Sequence, residues 1–305
     1  MTTFRADPAS TEIYELGEGP VWDASANRIL WVDILANRVL EGRLVGTTVE
    51  QTARHEFAGP VSAVVPSEDG SLLIAEKECL TIVSPSGEHR QGPRILPNGT
   101  TSRLNDGGCD PAGRFVVGTK SLVAGGDSEV LLRLEDDAAL TTIDSDLTLS
   151  NGVAWSTDGS RLYSVDTLAQ TVWIRDYDAL SGMVGNRRAL IRITDGFPDG
   201  LCIDTSDNLW LAVWGAGEVR AYSPDGQQLH TVRVAAPQVS SVAFVGEELD
   251  LLLITTARED LDAEQLTRFP HSGRLFTIAV GATGLCTTPW SGFPQPNTDL
   301  ASEST

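Results

Sequence analysis

Lysine is nearly absent from this chain: Lys77 and Lys120 are its two lysines in 305 residues, and 42 acidic side chains against 22 basic ones leave a formal charge of −20. A surface so poor in cations repels polyanions and excludes a nucleic-acid partner on electrostatic grounds. The acidity itself reads as a solubility device. Long apolar runs are missing too. Nothing approaches the roughly eighteen consecutive apolar residues of a membrane span, so no membrane partner is expected, and the 41% hydrophobic content suits a globular protein. The opening Met-Thr-Thr-Phe-Arg-Ala-Asp-Pro has neither the apolar core of a secretory signal nor the arginines of a transit peptide, which makes a cytoplasmic location the expectation. The four cysteines, Cys79, Cys109, Cys202 and Cys286, are far apart and form no C-x-x-C pair, so they are expected to be buried thiols, not a zinc site or a disulfide framework.

Familiar catalytic signatures are also lacking. There is no G-x-S-x-G elbow, no H-E-x-x-H, no Walker loop, no G-x-G-x-x-G after a strand and no EF-hand spacing. His55, His89, His230 and His271 fall in strand-edge or turn contexts, which disfavours a histidine base.

What the chain does have is a repeat. An apolar strand, a polar turn and a second aromatic or aliphatic strand recur six times between about residues 18 and 280. With Trp31, Leu73, Phe115, Tyr163, Trp210 and Leu253 taken as equivalent, successive spacings are 42, 42, 48, 47 and 43 residues. No sustained 3.6-residue apolar stripe interrupts this pattern, and no polar capping units mark the ends of an open solenoid. Units of this size predict an all-β protein, a six-bladed β-propeller of four-stranded antiparallel blades around a central channel, forming one domain over residues 1–290. Thr11 to Glu15 is expected to add a strand to the last blade and close the ring, with a frayed terminus as the alternative. From Thr287 the Pro, Ser, Thr and Gly content reads as loose chain, with 291–305 a flexible tail. The expected assembly is a monomer or a weak homo-oligomer.

Counting back five residues from the repeat's turn position in each blade gives Glu18, Ser62, Asn105, Asn151, Asp199 and Ser240. In a propeller the first strand of each blade lines the channel, so residues in one register form a ring about the axis. Any one of these is equally a turn residue bonding its own backbone. As a set, two carboxylates and two amides crowded on one axis repel and stay under-satisfied without a cation, which favours a hard-metal site supplied by Glu18, Asn151 and Asp199. An oxygen-only donor set suits Ca²⁺ first, then Mg²⁺ or Mn²⁺; Zn²⁺ and Fe²⁺ stay open.

At these residues the sequence resembles the regucalcin/senescence-marker-protein-30, gluconolactonase and luciferin-regenerating-enzyme-like propellers over nearly its whole length. The marks are Leu16-Gly17-Glu18-Gly19-Pro20-Val21-Trp22, Arg103-Leu104-Asn105-Asp106-Gly107, Ser150-Asn151-Gly152 with Tyr163 and Asp166, Asn186-Arg187-Arg188, and Pro198-Asp199-Gly200 with Trp210. The resemblance implies a divalent metal on Glu18, Asn151 and Asp199, and contacts from Arg103 and Asn105 to a small sugar lactone. One departure stands out: acidic residues follow the Gly-Thr segment in the regucalcin branch, one of them contacting substrate, whereas Gly118-Thr119-Lys120-Ser121-Leu122-Val123 has none. Substrate preference is therefore expected to differ. The glycine-rich segment from Lys120 to Asp127 is either a lid over the pocket or an ordinary surface loop.

The function expected from this reading is metal-dependent hydrolysis of an aldonolactone, with the ion as Lewis acid and Asp199 as general base. The rival readings are a non-catalytic calcium-binding propeller, and a hydrolase of a phosphotriester or a non-sugar lactone.

Overall fold

The computed structural model describes residues 1–126 and 128–293. Two short strands, β1 (Thr2–Arg5) and β2 (Asp7–Pro8), open the chain. Six antiparallel sheets then follow one another around an axis. The first blade is β3 (Gly17–Asp23), β4 (Arg28–Asp33), β5 (Arg38–Val45) and β6 (Thr48–Glu56); the second is β7 (Val61–Pro66), β8 (Leu72–Glu76), β9 (Cys79–Val83) and β10 (His89–Arg94). The third runs β11 (Ser102–Cys109), β12 (Phe115–Ser121), β13 (Glu129–Leu134) and β14 (Leu140–Leu147), the fourth β15 (Ser150–Trp155), β16 (Arg161–Asp166), β17 (Thr171–Asp176) and β18 (Arg188–Arg192). The fifth holds β19 (Phe197–Ile203), β20 (Leu209–Trp214), β21 (Glu218–Tyr222) and β22 (Gln228–Arg233). The sixth has β23 (Val239–Val245), β24 (Leu251–Thr256) and β25 (Phe276–Ala279), with β2 as its outer strand. The six-bladed propeller read from the repeat is the fold.

The repeat has a physical cause at each of its two landmarks. Trp31, Leu73, Phe115, Tyr163, Trp210 and Leu253 lie on the second strand of their blades, each at most 2% exposed, wedged between neighbouring sheets. Burying a side chain of this kind is worth roughly 1.5–3 kcal/mol, once per blade. The turn aspartates close the hairpins: Asp23, Asp110 and Asp204 each accept backbone N–H groups two to four residues ahead, at 2.9 to 3.3 Å. Their carboxylates fold the chain back before the sheet pairs it.

Three expectations need correction. The ring is not closed by Thr11–Glu15 but by β2, whose Asp7 and Pro8 pair with Thr277 and Phe276, while β1 adds a parallel fifth strand outside β22. The short apolar signal of Ile13 and Tyr14 belongs instead to the link into β3, where Tyr14 packs edge-on against Trp31. Residues 287–293 are not loose. Trp290 is buried and its N–H donates to the Pro66 carbonyl, and Ser291 N–H donates to Gly113, so this segment straps the second blade to the third. The remainder of the expected tail, 294–305, lies outside the described residues. All four cysteines are free, but none is the fully buried thiol expected: Cys79, Cys109 and Cys202 are partly exposed and Cys286 is exposed.

An insertion between β24 and β25 carries the helix α1 (Ala263–Arg268), none of whose residues is buried. A capping box of Asp262 and Gln265 holds it in place of apolar packing.

Candidate active site

The six ring positions occupy one structural place. In every innermost strand the pairing with the second strand slips there: between Glu18 and Val21, Val61 and Ala63, Leu104 and Gly107, Asn151 and Val153, Pro198 and Leu201, and Val239 and Ser241. A bulge re-aims the side chain it carries, which is how a strand otherwise given to packing presents a polar group to the axis. All six residues are buried. The two serines take a bracing part: Ser62 Oγ donates to the Asn105 carbonyl at 3.0 Å, and Ser240 Oγ to the Gly17 carbonyl at 2.6 Å. The carboxylates and amides of Glu18, Asn105, Asn151 and Asp199 are left to line a cavity of about 250 Å³.

That cavity opens on the face where innermost strands begin and second strands end. Five blades contribute to its wall; the second contributes nothing, its ring serine having turned to the neighbouring strand. Leu16, Ile34, Leu149, Leu168, Phe197 and Trp214 supply the apolar surface, and Arg103, Lys120, Thr167, Glu259 and Asp260 the remaining polar groups. Two aspartates fix the strand starts that carry the ligand candidates. Asp33 accepts the N–H groups of Glu15 and Leu16 ahead of Glu18, and Asp166 accepts those of Thr148 and Leu149 ahead of Asn151.

The side chains are linked in a chain of donors. Arg103 Nη1 donates to Asn105 Oδ1 at 2.6 Å, Asn105 Nδ2 to Asn151 Oδ1 at 2.8 Å, and Asn151 Nδ2 to Thr167 Oγ1 at 2.9 Å. Each amide is thereby fixed in orientation, and Asn151 Oδ1 keeps a lone pair beyond the one Asn105 uses. Glu18 Oε2 accepts the Gly19 N–H at 3.1 Å. Asp199 Oδ1 is buried with no hydrogen-bond partner.

Burial, together with mutual repulsion, pushes these carboxyls upward. Desolvation and the nearby Asp106 raise Glu18 to about 8, and desolvation with the charges of Glu18 and Asp106 holds Asp199 well above the usual carboxylate range. Burial likewise raises Asp106 to about 6. Burial lowers Arg103 against the opposing pull of Glu259, Glu18 and Asp199. An orphaned buried carboxylate oxygen, an oriented amide oxygen and a second raised carboxyl make a donor set that a hard divalent cation fits: it would satisfy Asp199 Oδ1 and relieve the repulsion. Glu18, Asn151 and Asp199 are the residues able to hold it.

The five site residues read from the sequence, Glu18, Arg103, Asn105, Asn151 and Asp199, all line this one cavity. Lys120, Thr167, Glu259, Asp260 and Trp214 escaped that reading. Lys120 had a signal, since it faces Arg103 across the β11–β12 pair; Glu259 and Asp260 lie in a turn after β24 that the repeat leaves unspecified. Asp106 follows Asn105 directly but faces the other way, into a second cavity of about 440 Å³ at the opposite end of the channel. Of the two readings left open for the segment from Lys120 to Asp127, its described residues fit the surface loop: of Lys120–Gly126 only Lys120 lines the pocket, Leu122 and Val123 project into solvent, and Asp127 lies outside the described residues.

Comparison with known proteins agrees with this architecture. Residues 16–258 match the SMP-30/Gluconolactonase/LRE-like region. The chain is 36% identical to the pentonolactonase XacC of Haloferax volcanii, over 88% of this chain and 92% of that one. It is 33% identical to the regucalcin of Danio rerio, over 93% and 98%. Among solved structures, a calcium-binding regucalcin from Agrobacterium tumefaciens superposes with a TM-score of 0.89 at 26% identity, covering 95% of this chain and 99% of the other. With the matched region spanning the blades that carry the cavity, the chain belongs to the SMP-30/gluconolactonase/LRE-like family.

Proposed function

We propose that this protein hydrolyses sugar lactones to aldonic acids with one divalent cation, Ca²⁺ first among the candidates, held by Glu18, Asn151 and Asp199. The observation that carries the reading is the unpartnered Asp199 Oδ1 at the wall of a cavity that also contains an oriented amide pair and a guanidinium. That one relative is a pentonolactonase and another a calcium-binding regucalcin supports the same reading.

When bound, such a cation supplies Lewis acidity towards the lactone carbonyl and its attacking water. The protein's own groups supply the rest. Asp199 has two oxygens, one for the cation and one to take a proton as water adds to the acyl carbon. The ring C–O bond then breaks, and that proton passes to the departing alkoxide oxygen, giving the open hydroxy acid. Arg103 is locked by its bonds to Asn105 Oδ1 and the Leu104 carbonyl, so its remaining N–H groups present a fixed edge to substrate oxygens. The apolar wall of Phe197, Trp214 and Leu168 limits water to the reacting face.

Base-uptake titration of five- and six-membered aldonolactones tests this, using chelator-stripped protein resupplied in turn with Ca²⁺, Mg²⁺, Mn²⁺, Zn²⁺ and Fe²⁺. Turnover is expected to vanish on stripping, to return with a divalent ion, and to be abolished in Asp199→Ala. Tight ion binding with no turnover of any lactone would overturn the hydrolase reading in favour of a calcium-binding role.

A further inference from the structure

The mouth of the cavity is charged asymmetrically. Lys120 stands at the end of β12 in the third blade, beside Arg103. Glu259 and Asp260 stand in the turn after β24 in the sixth blade, which in a six-membered ring is the diametrically opposite wall. Neither Lys120 nor Glu259 has an ion-pair or side-chain hydrogen-bond partner among the described residues, whereas the adjacent Arg258 is paired with Glu15.

The turn that carries Glu259 is built, not loose. The N–H groups of Arg258 and Glu259 both donate to the Glu15 carbonyl, at 2.9 and 3.2 Å, and Leu261 N–H closes the turn on the Arg258 carbonyl at 3.1 Å. Asp260 takes the corner at φ 62°, a conformation that Asp accepts more readily than most residues. Glu259 is half-buried, and among the carboxylates that act on the Arg103 guanidinium it exerts the strongest pull. A half-buried acid held by its backbone, with no hydrogen-bond or ion-pair partner on its side chain, keeps acceptor capacity that a ligand can fill. Polar groups placed in that way are satisfied by a ligand that brings both donors and acceptors.

We infer that Glu259 and Lys120 are the specificity-determining pair of this pocket, gripping from opposite walls the ring hydroxyls of a polyhydroxylated lactone, with Glu259 accepting and Lys120 donating. The third-blade segment 118–123 has no acid to offer, so the acceptor comes from the sixth blade. This inference rests on the lactonase reading for its reaction, but not for its contacts. Sites that hydrogen-bond a substrate hydroxyl discriminate strongly against the analogue that lacks it, because their own polar groups are then stranded.

The test compares kcat and KM for a hydroxylated aldonolactone and for the unsubstituted lactone of the same ring size, in the wild type, Glu259→Gln, Glu259→Ala, Lys120→Met and the double variant. The preference for the hydroxylated lactone is expected to fall tenfold or more in each single variant, chiefly through KM, and the double variant to lose less than the product of the two. An unchanged preference, or an equal loss on both lactones, would overturn the inference. A second readout, titration of the metal-loaded protein with gluconate and with 5-hydroxyvalerate followed by tryptophan fluorescence, needs no turnover. Gluconate binding that weakens in Glu259→Gln supports the clamp even if no lactone is hydrolysed, in which case the hydrolase reading alone fails; binding indifferent to both residues sinks the clamp whatever the turnover.

Discussion

A carboxyl buried beside other carboxyls stores its proton, and this gives Glu18 a measurable signature. In the metal-free protein its folded pKa lies near 8, above the ordinary value of 4.5, so between these limits the folded state holds a proton that the unfolded chain has released. The stabilising contribution is therefore full below the unfolded value and is lost as pH rises through the folded one. Asp106, raised to about 6, loses its share earlier in the same window. The melting temperature of chelator-treated protein is expected to fall between pH 5 and pH 9, and Glu18→Gln, which cannot ionise, to fall less steeply. Added Ca²⁺ should recover most of the wild-type loss at pH 8, because a cation replaces the missing protons. Parallel pH profiles for wild type and Glu18→Gln would show that Glu18 is not the group responsible. At this scale much of the site was readable in advance: an acid or amide at a fixed offset from the repeat's turn position marks a channel position without any alignment. Glu259 was not readable, since its role comes from where a loop hangs, and its Arg-Glu-Asp surroundings are those of any solvated turn.

Each ring residue depends on the element beneath it, and here the glycines that follow Asn151 and Asp199 do more than leave their neighbours room. A Cβ on Gly152 would lie 2.6 Å from the Asp199 carbonyl oxygen and 2.9 Å from the Leu201 nitrogen; one on Gly200 would overlap Ser241. Adjacent innermost strands thus touch backbone to backbone at the ring, and only glycine lets them. Gly152→Ala should drive β15 and β19 apart, costing about 1–3 kcal/mol as overpacking does. It should also weaken binding of the divalent ion tenfold or more, since Asn151 and Asp199 ride on those two strands. Gly59→Ala, where the added methyl meets nothing within 4 Å, is the matched control. Calorimetric ion titration and thermal melting of both variants decide the matter: an ion affinity unchanged in Gly152→Ala would mean the strands' approach does not set the site. The same elements explain why the repeat was legible while the bulges were not. Turn aspartates and wedged aromatics are dictated locally, by N–H groups a few residues ahead and by burial between sheets. A bulge arises only when two paired strands disagree by a residue, and Asn-Gly or Asp-Gly in a sequence signals a turn as readily as a kink in a strand.

At the scale of the whole molecule the question is how a ring of six sheets stays shut. Five blades are each built from consecutive strands, but the sixth borrows its outer strand from the other end of the chain. The borrowed piece is only two residues long, and its strength comes from its surroundings. Ala6 and Ala9 are buried in the cluster that joins the first, fifth and sixth blades; Ala9 N–H donates to Leu275 and its carbonyl accepts from Val49, both at 2.7 Å; and β1 runs on along β22 for four residues. One segment therefore touches three blades. The sequence indicated that the amino terminus closes the ring, yet placed the strand at Thr11–Glu15, because two residues of Asp-Pro carry no strand pattern and owe their pairing wholly to the open edge they meet. Removing residues 1–9 uncovers the edge of β25 and the apolar cluster beneath it, and unpaired edges invite association between molecules. The truncated protein is expected to melt at least 5 °C lower and to aggregate on warming, while at low temperature it still binds the divalent ion, whose three proposed ligands sit in blades that remain complete or lose only the accessory strand β1. A truncated protein as stable as the full chain would place closure in the backbone contacts of β3 and β23 at the axis. Loss of ion binding together with stability would instead mean that the ring and its site form only as one cooperative unit.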